Sequence, residues 1–144
     1  TMKDGEPFRK WLTEIAAFMV DKKSAQFAAE FAMLEEALGA FSSIAAMNVD
    51  WNKNNIQLKQ LFATRTMHAA ARVYCGKLML DQALLAADKL AELGNDHFDA
   101  NFYKGKIASA RFYVMNVVPE IFAMEKAMKA GDSSAIDCPE EAFM

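Results

Sequence analysis

Apolar side chains return at steps of three and four residues through almost the whole chain, and that rhythm points to helices. A helix advances about 100° per residue, so positions three and four apart share a face, whereas a half-buried strand would alternate. Near the amino terminus Phe8, Trp11, Leu12, Ile15 and Met19 keep the helical step. After the polar cluster Asp21-Lys22-Lys23-Ser24 it resumes out of phase at Phe27, Phe31, Leu34, Leu38 and Phe41. Only 6 Gly and 3 Pro occur in 144 residues, too few for the many tight turns of a sheet protein. The fold class is all-α.

Four long helices are expected. The first opens at Pro7, which suits a first turn because its missing N–H has no helical partner there, and a stop is expected at Asp21–Ser24, although no Gly or Pro there rules out one long helix running through. The second spans Ala25 to Met47, and the segment Asn48 to Asn55, rich in Asn and holding Trp51, is expected as the longest loop, its Trp51 folding back onto a helix end. The third spans Ile56 to Leu93. It is apolar nearly all round from Val73 to Leu90, so it should meet neighbours on more than one side. Gly94 ends it, and Asn95 or Asp96 caps the fourth. The fourth helix has Phe98, Phe102, Ile107, Phe112, Met115, Val118 and Phe122 as its apolar residues and closes at Lys129 before Gly131. Pro119 should kink it by leaving the carbonyl of Met115 unpaired. Residues 132–144 form a tail whose Phe143 is expected to dock on the helices. With short connections these elements predict an antiparallel up-down four-helix bundle, one domain over residues 1–144.

Hydrophobic residues make up 53% of the chain and charged residues 24%, enough apolar surface for a packed core. The net charge of −3 favours neither nucleic acid nor an anionic membrane as a partner. The longest uncharged stretch, Ala37 to Val49, is too short to span a bilayer. Cys75 and Cys138 have no metal-ligand spacing; Cys75 reads as a small core hydrophobe, and a reducing, cytoplasmic setting is expected. No basic-then-apolar leader opens the chain, and Thr1 before Met2 suggests an excised piece of a longer protein.

The chemistry that helical bundles host leaves no trace here. A di-iron centre takes Glu-x-x-His pairs on facing helices, but the residues three before His68 and His97 are Arg65 and Gly94. A Cys-x-x-Cys-His haem anchor is missing, and Ser42, Ser43, Ser109, Ser133 and Ser134 sit in no nucleophile elbow. The glycines stand alone and form no phosphate loop; Gly76 and Gly105 are expected where helices approach closely. The ten methionines read as core filler rather than a binding groove. Glu35-Glu36 and Glu140-Glu141 read as solvated faces. No catalytic, cofactor-binding or metal-ligating residue is nominated.

Two stretches nevertheless resemble a known family. One is the run Ala69-Ala-Ala-Arg-Val-Tyr-Cys-Gly76, followed by Gln82-Ala83 and Ala86. The other runs from Asp99 through Phe102, Lys106, Ala110 and Arg111 to Tyr113, and on to Val117-Val-Pro119. With Ala130-Gly131-Asp132 and Phe143, they are similar to the carboxy-terminal helical extension of the larger FAD-dependent acyl-CoA dehydrogenases. The resemblance covers most of the chain and is strongest from Ala69 to Phe143. It implies a parent enzyme that removes hydrogen from the α and β carbons of an acyl-CoA, a glutamate base taking the α proton and FAD the β hydride. In that family those parts lie upstream of the extension, so no catalytic role passes to this chain. FAD is implied for the parent, not for these residues.

Under the resemblance the chain is a non-catalytic accessory domain that stabilises the enzyme, covers part of its substrate channel or mediates subunit contact, in a homo-oligomer. One set of basic residues bears on this. Arg65, His68 and Arg72 lie along the third helix, and Lys104, Lys106 and Arg111 along the fourth. Such residues most often pair with carboxylates on adjacent helices; alternatively they face another domain or an acyl-CoA phosphate. Arg72, Lys106 and Arg111 are the interdomain-contact candidates. The competing reading is a free-standing helical module that binds a partner helix in an apolar groove; a cofactor-bearing bundle enzyme is the weakest of the three.

Overall fold

A computed structural model of the chain describes residues 6–143. All its regular structure is helical, with no strand among the described residues. Helix α1 covers Glu6–Asp21, and a single 3-10 turn at Ala25–Phe27 leads into α2, Ala28–Asn54. Helix α3 is Ile56–Leu61 and α4 is Ala63–Leu93. Helix α5, Ala100–Phe112, passes through a π-turn at Tyr113–Val117 into α6, Glu120–Ala130. A short α7 at Ser134–Asp137 and a last 3-10 turn at Glu140–Phe143 complete the chain. The break at Asp21–Ser24 therefore separates two helices as the phase shift predicted.

The expected loop at 48–55 is helix as far as Asn54. Turn-forming side chains there are overridden by packing: Trp51 is buried in the last turns of α2 and stacks on Phe62, ring centres 5.3 Å apart. Asn48 donates to Thr66 Oγ1 at 2.8 Å and to Ile44 O at 2.9 Å, so its amide ties α2 to α4 instead of opening the chain. The true stop is Asn55, whose side chain accepts from Leu58 N at 3.1 Å and caps α3. The expected third helix is likewise split. Phe62, at φ −96° and ψ 7°, interrupts it and turns its ring under Trp51.

The fourth expected helix starts later and is also divided. Asn95 and Asp96 lie in an irregular turn, and α5 begins only at Ala100, with His97 Nδ1 accepting from Asp99 N at 3.1 Å. Pro119 is accommodated by widening the preceding turn. Val118 N reaches back five residues to Tyr113 O at 3.1 Å, and the Asn116 amide donates to Phe112 O at 3.0 Å. A wide turn shifts the hydrogen-bond register by one residue, which meets proline's missing donor without a stretched helix. Gly94 (φ 84°) and Gly131 (φ 61°) end α4 and α6 in conformations that disfavour other residues.

The core runs between α2, α4 and the α5–α6 segment. Leu34, Ala37, Phe41 and Ile44 of α2 meet Ala69, Val73, Leu80 and Ala83 of α4, with Ala110, Val114, Val118 and Ile121 closing the third side. Gly76 lies where the three meet: a β-carbon there would stand 3.0 Å from Leu34 Cδ1 and 3.1 Å from Val118 Cγ2. Gly105 has open space around it and brings no helices together, contrary to expectation. Helix α1 lies along one flank through aromatic contacts, Trp11 on Phe41 at 5.5 Å and Phe18 stacked on Phe31 at 5.9 Å. Among the methionines Met128 is buried and Met19, Met33, Met47, Met79 and Met124 pack on the core, whereas Met67 and Met115 face out. Phe143 stands 80% exposed and does not dock.

Candidate functional site

The three interdomain-contact candidates occupy different surroundings. Arg72 of α4 pairs with Glu120 at the start of α6, and its guanidinium Nε is buried without a hydrogen-bond partner. Arg111 of α5 reaches α2: its Nε lies 3.0 Å from Glu30 Oε1, its NH2 donates to Gln26 O at 3.1 Å, and its guanidinium stacks 5.3 Å over the Phe27 ring. Glu30 is the one buried charged residue among those described, so Arg111 neutralises a carboxylate that burial would otherwise penalise. Lys106 lies on open surface, 3.3 Å from Gln82 Oε1 and 5.6 Å over the ring of Phe102. Pairing with carboxylates on adjacent helices thus holds for Arg72 and Arg111. The structure does not gather the three into one cluster.

Cys75 is half-buried rather than fully enclosed and lies beside Tyr113 at the π-turn. Burial, and next the neighbouring Cys75 thiol, raises the phenol of Tyr113 above its ordinary value. Cys75 and Cys138 are both free. Among the described residues no group of three or more His, Cys, Asp or Glu is placed to hold a metal ion. No helix there is long and apolar enough to cross a membrane.

Sequence periodicity missed an outward apolar face. Phe102 and Phe112 were expected inside the fourth helix's stripe, yet they are 61% and 65% exposed. The inward positions of α5 are the small Ala100 and Ala110, which let it lie close to Ala83 and Ala86 of α4. Along α4, Met67, Tyr74, Leu78 and Leu85 are exposed as well. Their spacing of seven, four and seven sets them on one side of the helix, opposite Ala69, Val73, Gly76, Leu80 and Ala83. That second periodicity lies in the sequence, hidden within a stretch that reads as apolar all round. Between the helices, Gln82, Leu85, Phe102, Tyr103 and Lys106 line a shallow, mostly apolar seam.

A reaction needs a nucleophile beside a base, or converging donors around a developing charge; among the described residues the Arg72–Glu120 and Arg111–Glu30 pairs and the Asn48–Thr66 bond instead join helices to one another. The cations able to meet a phosphate are engaged by Glu120 and Glu30 or lie on open surface. What the surface does have is an exposed apolar face along α4 and α5, with Lys106 in its seam and Asp81 and Asp88 beside Leu85.

Comparison with known proteins settles the family. A model described as acetyl-CoA dehydrogenase C-terminal like matches residues 11–139. The chain belongs to this family. It is 73% identical over all 144 residues to a butyryl-CoA dehydrogenase of Syntrophomonas wolfei, and 64% identical over the same length to a second butyryl-CoA dehydrogenase of that organism. In each case the chain spans 24% of the relative's length. Family membership thus extends well into the amino-terminal half, where α1 and α2 lie, and is not confined to the stretch from Ala69 on which the resemblance was strongest.

Proposed function

We propose that this C-terminal-like domain is the non-catalytic accessory part of a flavin-dependent acyl-CoA dehydrogenase acting on a short-chain acyl-CoA such as butyryl-CoA. The observation that carries the reading is the 73% identity across the whole chain to a protein four times as long and named butyryl-CoA dehydrogenase. The site supports it from the other side, since the polar groups that the helices bury serve packing, not a reaction. In this proposal the α,β-dehydrogenation, its glutamate base and its FAD belong to the rest of the parent chain, and cytoplasmic placement and a homo-oligomeric state come with the parent.

The architecture we assign is an antiparallel four-helix bundle made by α1, α2, α3–α4 and α5–α6. For α4 against the last pair, cross-contacts support it: Gln82 meets Lys106, Cys75 meets Tyr113 and Arg72 meets Glu120, so one number falls as the other rises. Of the interdomain candidates, Lys106 presents its charge outward. The Arg111 side chain is half exposed beside its Glu30 pair, and Arg72 is the most enclosed of the three.

An antibody to residues 1–144, used to isolate the native polypeptide from its source, tests the reading. The expected antigen is a flavoprotein chain about four times this length that reduces an electron-accepting dye with butyryl-CoA. An antigen no longer than the bundle itself, colourless and inactive, would instead favour a free-standing interaction module.

A further inference from the structure

We infer that the outer face of α4 and α5, centred on Leu85 and Phe102 with Lys106 in the seam beside them, is the surface that docks on the dehydrogenase body of the same polypeptide, against an apolar patch that sets a carboxylate opposite Lys106. The inference rests on the proposed function and names the surface through which that domain would act.

Large apolar side chains are exposed here in two rows. Met67, Tyr74, Leu78 and Leu85 form one along α4, and Phe102 and Phe112 stand on α5 beside it. Leu85 and Phe102 are both 61% exposed and meet across the seam between the helices. Single exposed hydrophobics are ordinary, but a face of this extent marks an interaction surface. Aromatic residues at its centre and charge at its edge follow the usual anatomy of an interface.

Charge and the length of the relatives both bear on what covers it. From Ala100 to Pro119 the chain carries Lys104, Lys106 and Arg111 and no Asp or Glu, although the protein as a whole is at −3. Arg111 is held by Glu30, which leaves the two lysines to set the potential of α5. Lys106 meets only neutral groups, Gln82 and the face of Phe102. On the α4 side Asp81 is engaged by Lys77 at 3.3 Å and Asp88 lies beside Leu85. A carboxylate on the partner is complementary to Lys106. The relatives have about three times as much chain outside the matched region as within it, so such a partner lies in the same molecule, at high effective concentration.

The test uses the full-length parent polypeptide. Hydroxyl-radical labelling, with each residue normalised to its free reactivity, should show Leu85 and Phe102 losing label relative to Val20 and Val49, which are exposed on other faces. Zero-length carbodiimide coupling should join Lys104 or Lys106 to carboxylates outside residues 1–144. Full labelling of Leu85 and Phe102 in an intact, active dehydrogenase would overturn this inference while leaving the accessory-domain reading in place. So would coupling of the lysines to residues 1–144 of a second copy. A native polypeptide that ends with the bundle would instead remove the reading on which the inference rests. Phe102→Asp in the full-length protein should restore labelling at Leu85; unchanged protection there would also count against it.

Discussion

A β-carbon on Gly76 would lie 3.1 Å from Val118 Cγ2, so the closest approach between α4 and the segment after the π-turn depends on a missing side chain. Leu34 of α2 closes the same point at 3.0 Å, and both neighbours are fully buried. Two opposed effects act on Gly76→Ala. Replacing a helix-interior glycine by alanine favours the helix by about 1 kcal/mol, while forcing an added methyl into a packed core costs roughly 1–3 kcal/mol. Packing is expected to win because both neighbours are fully buried in the core. Gly76→Ala should lower the thermal midpoint. Gly105→Ala, at an α5 position with nothing within 4 Å, should raise it by the amount that helix propensity supplies. Calorimetry of the two variants separates a close-approach glycine from an incidental one, and stabilisation by both would refute the distinction.

The Arg111–Glu30 pair predicts an asymmetric response to mutation. Arg111→Ala leaves the buried Glu30 carboxylate without its partner, which costs about 1–3 kcal/mol at a site like this one, nearer the low end because the Arg111 side chain is 48% exposed. Lys129→Ala removes an i,i+4 partner whose own side chain is 58% exposed, 2.7 Å from Glu125, and Ser43 still donates to that carboxylate, so it should cost less than about 1 kcal/mol. Urea unfolding at neutral pH measures both. Equal losses would show that burial of Glu30 contributes nothing.

Acid should weaken the contact between α6 and α2. Glu125 is held below its ordinary value of 4.5 by a hydrogen bond from Lys129, and Ser43 on α2 adds a second. A carboxyl with a depressed folded value stabilises the fold fully above the unfolded value and loses that contribution as pH falls through the folded one. The loss therefore falls below about pH 4.5, with little change between pH 6 and 8. Ser43→Ala should lower stability at neutral pH by about 1 kcal/mol or less, and the difference from the parent should shrink as pH falls below about 4.5, as measured by urea unfolding at each pH. A variant as stable as the parent at neutral pH would show that the Ser43 bond contributes nothing.

How much of this was legible in the sequence differs from element to element. The break between α1 and α2 was readable because the apolar stripe changes phase across Asp21–Ser24, and Gly94 and Gly131 marked stops through backbone conformation alone. The helix through Asn48–Asn54 was not. Its residues favour turns locally, and only the burial of Trp51 on Phe62, contributed by a later helix, reverses that preference. The π-turn at Tyr113–Val117 was half legible: Pro119 announced a disruption, but not that a widened turn and Asn116 would absorb it. Phe102 and Phe112 misled because aromatic residues at helical spacing look like core. The inward face of α5 is made of alanines, which carry little signal in a hydrophobic pattern. The charge pattern of α5, by contrast, could be read directly.

In the proposed function these residues fold without flavin and leave the chemistry to the rest of the parent enzyme. Chain 1–144, purified and titrated with FAD, tests this by visible absorbance and flavin fluorescence alongside far-ultraviolet circular dichroism. The expected result is a strongly helical, cooperatively melting, colourless protein that leaves FAD fluorescence unchanged and gives no dye reduction with butyryl-CoA. Stoichiometric yellow flavin on the purified chain, bleached on adding butyryl-CoA, would contradict it.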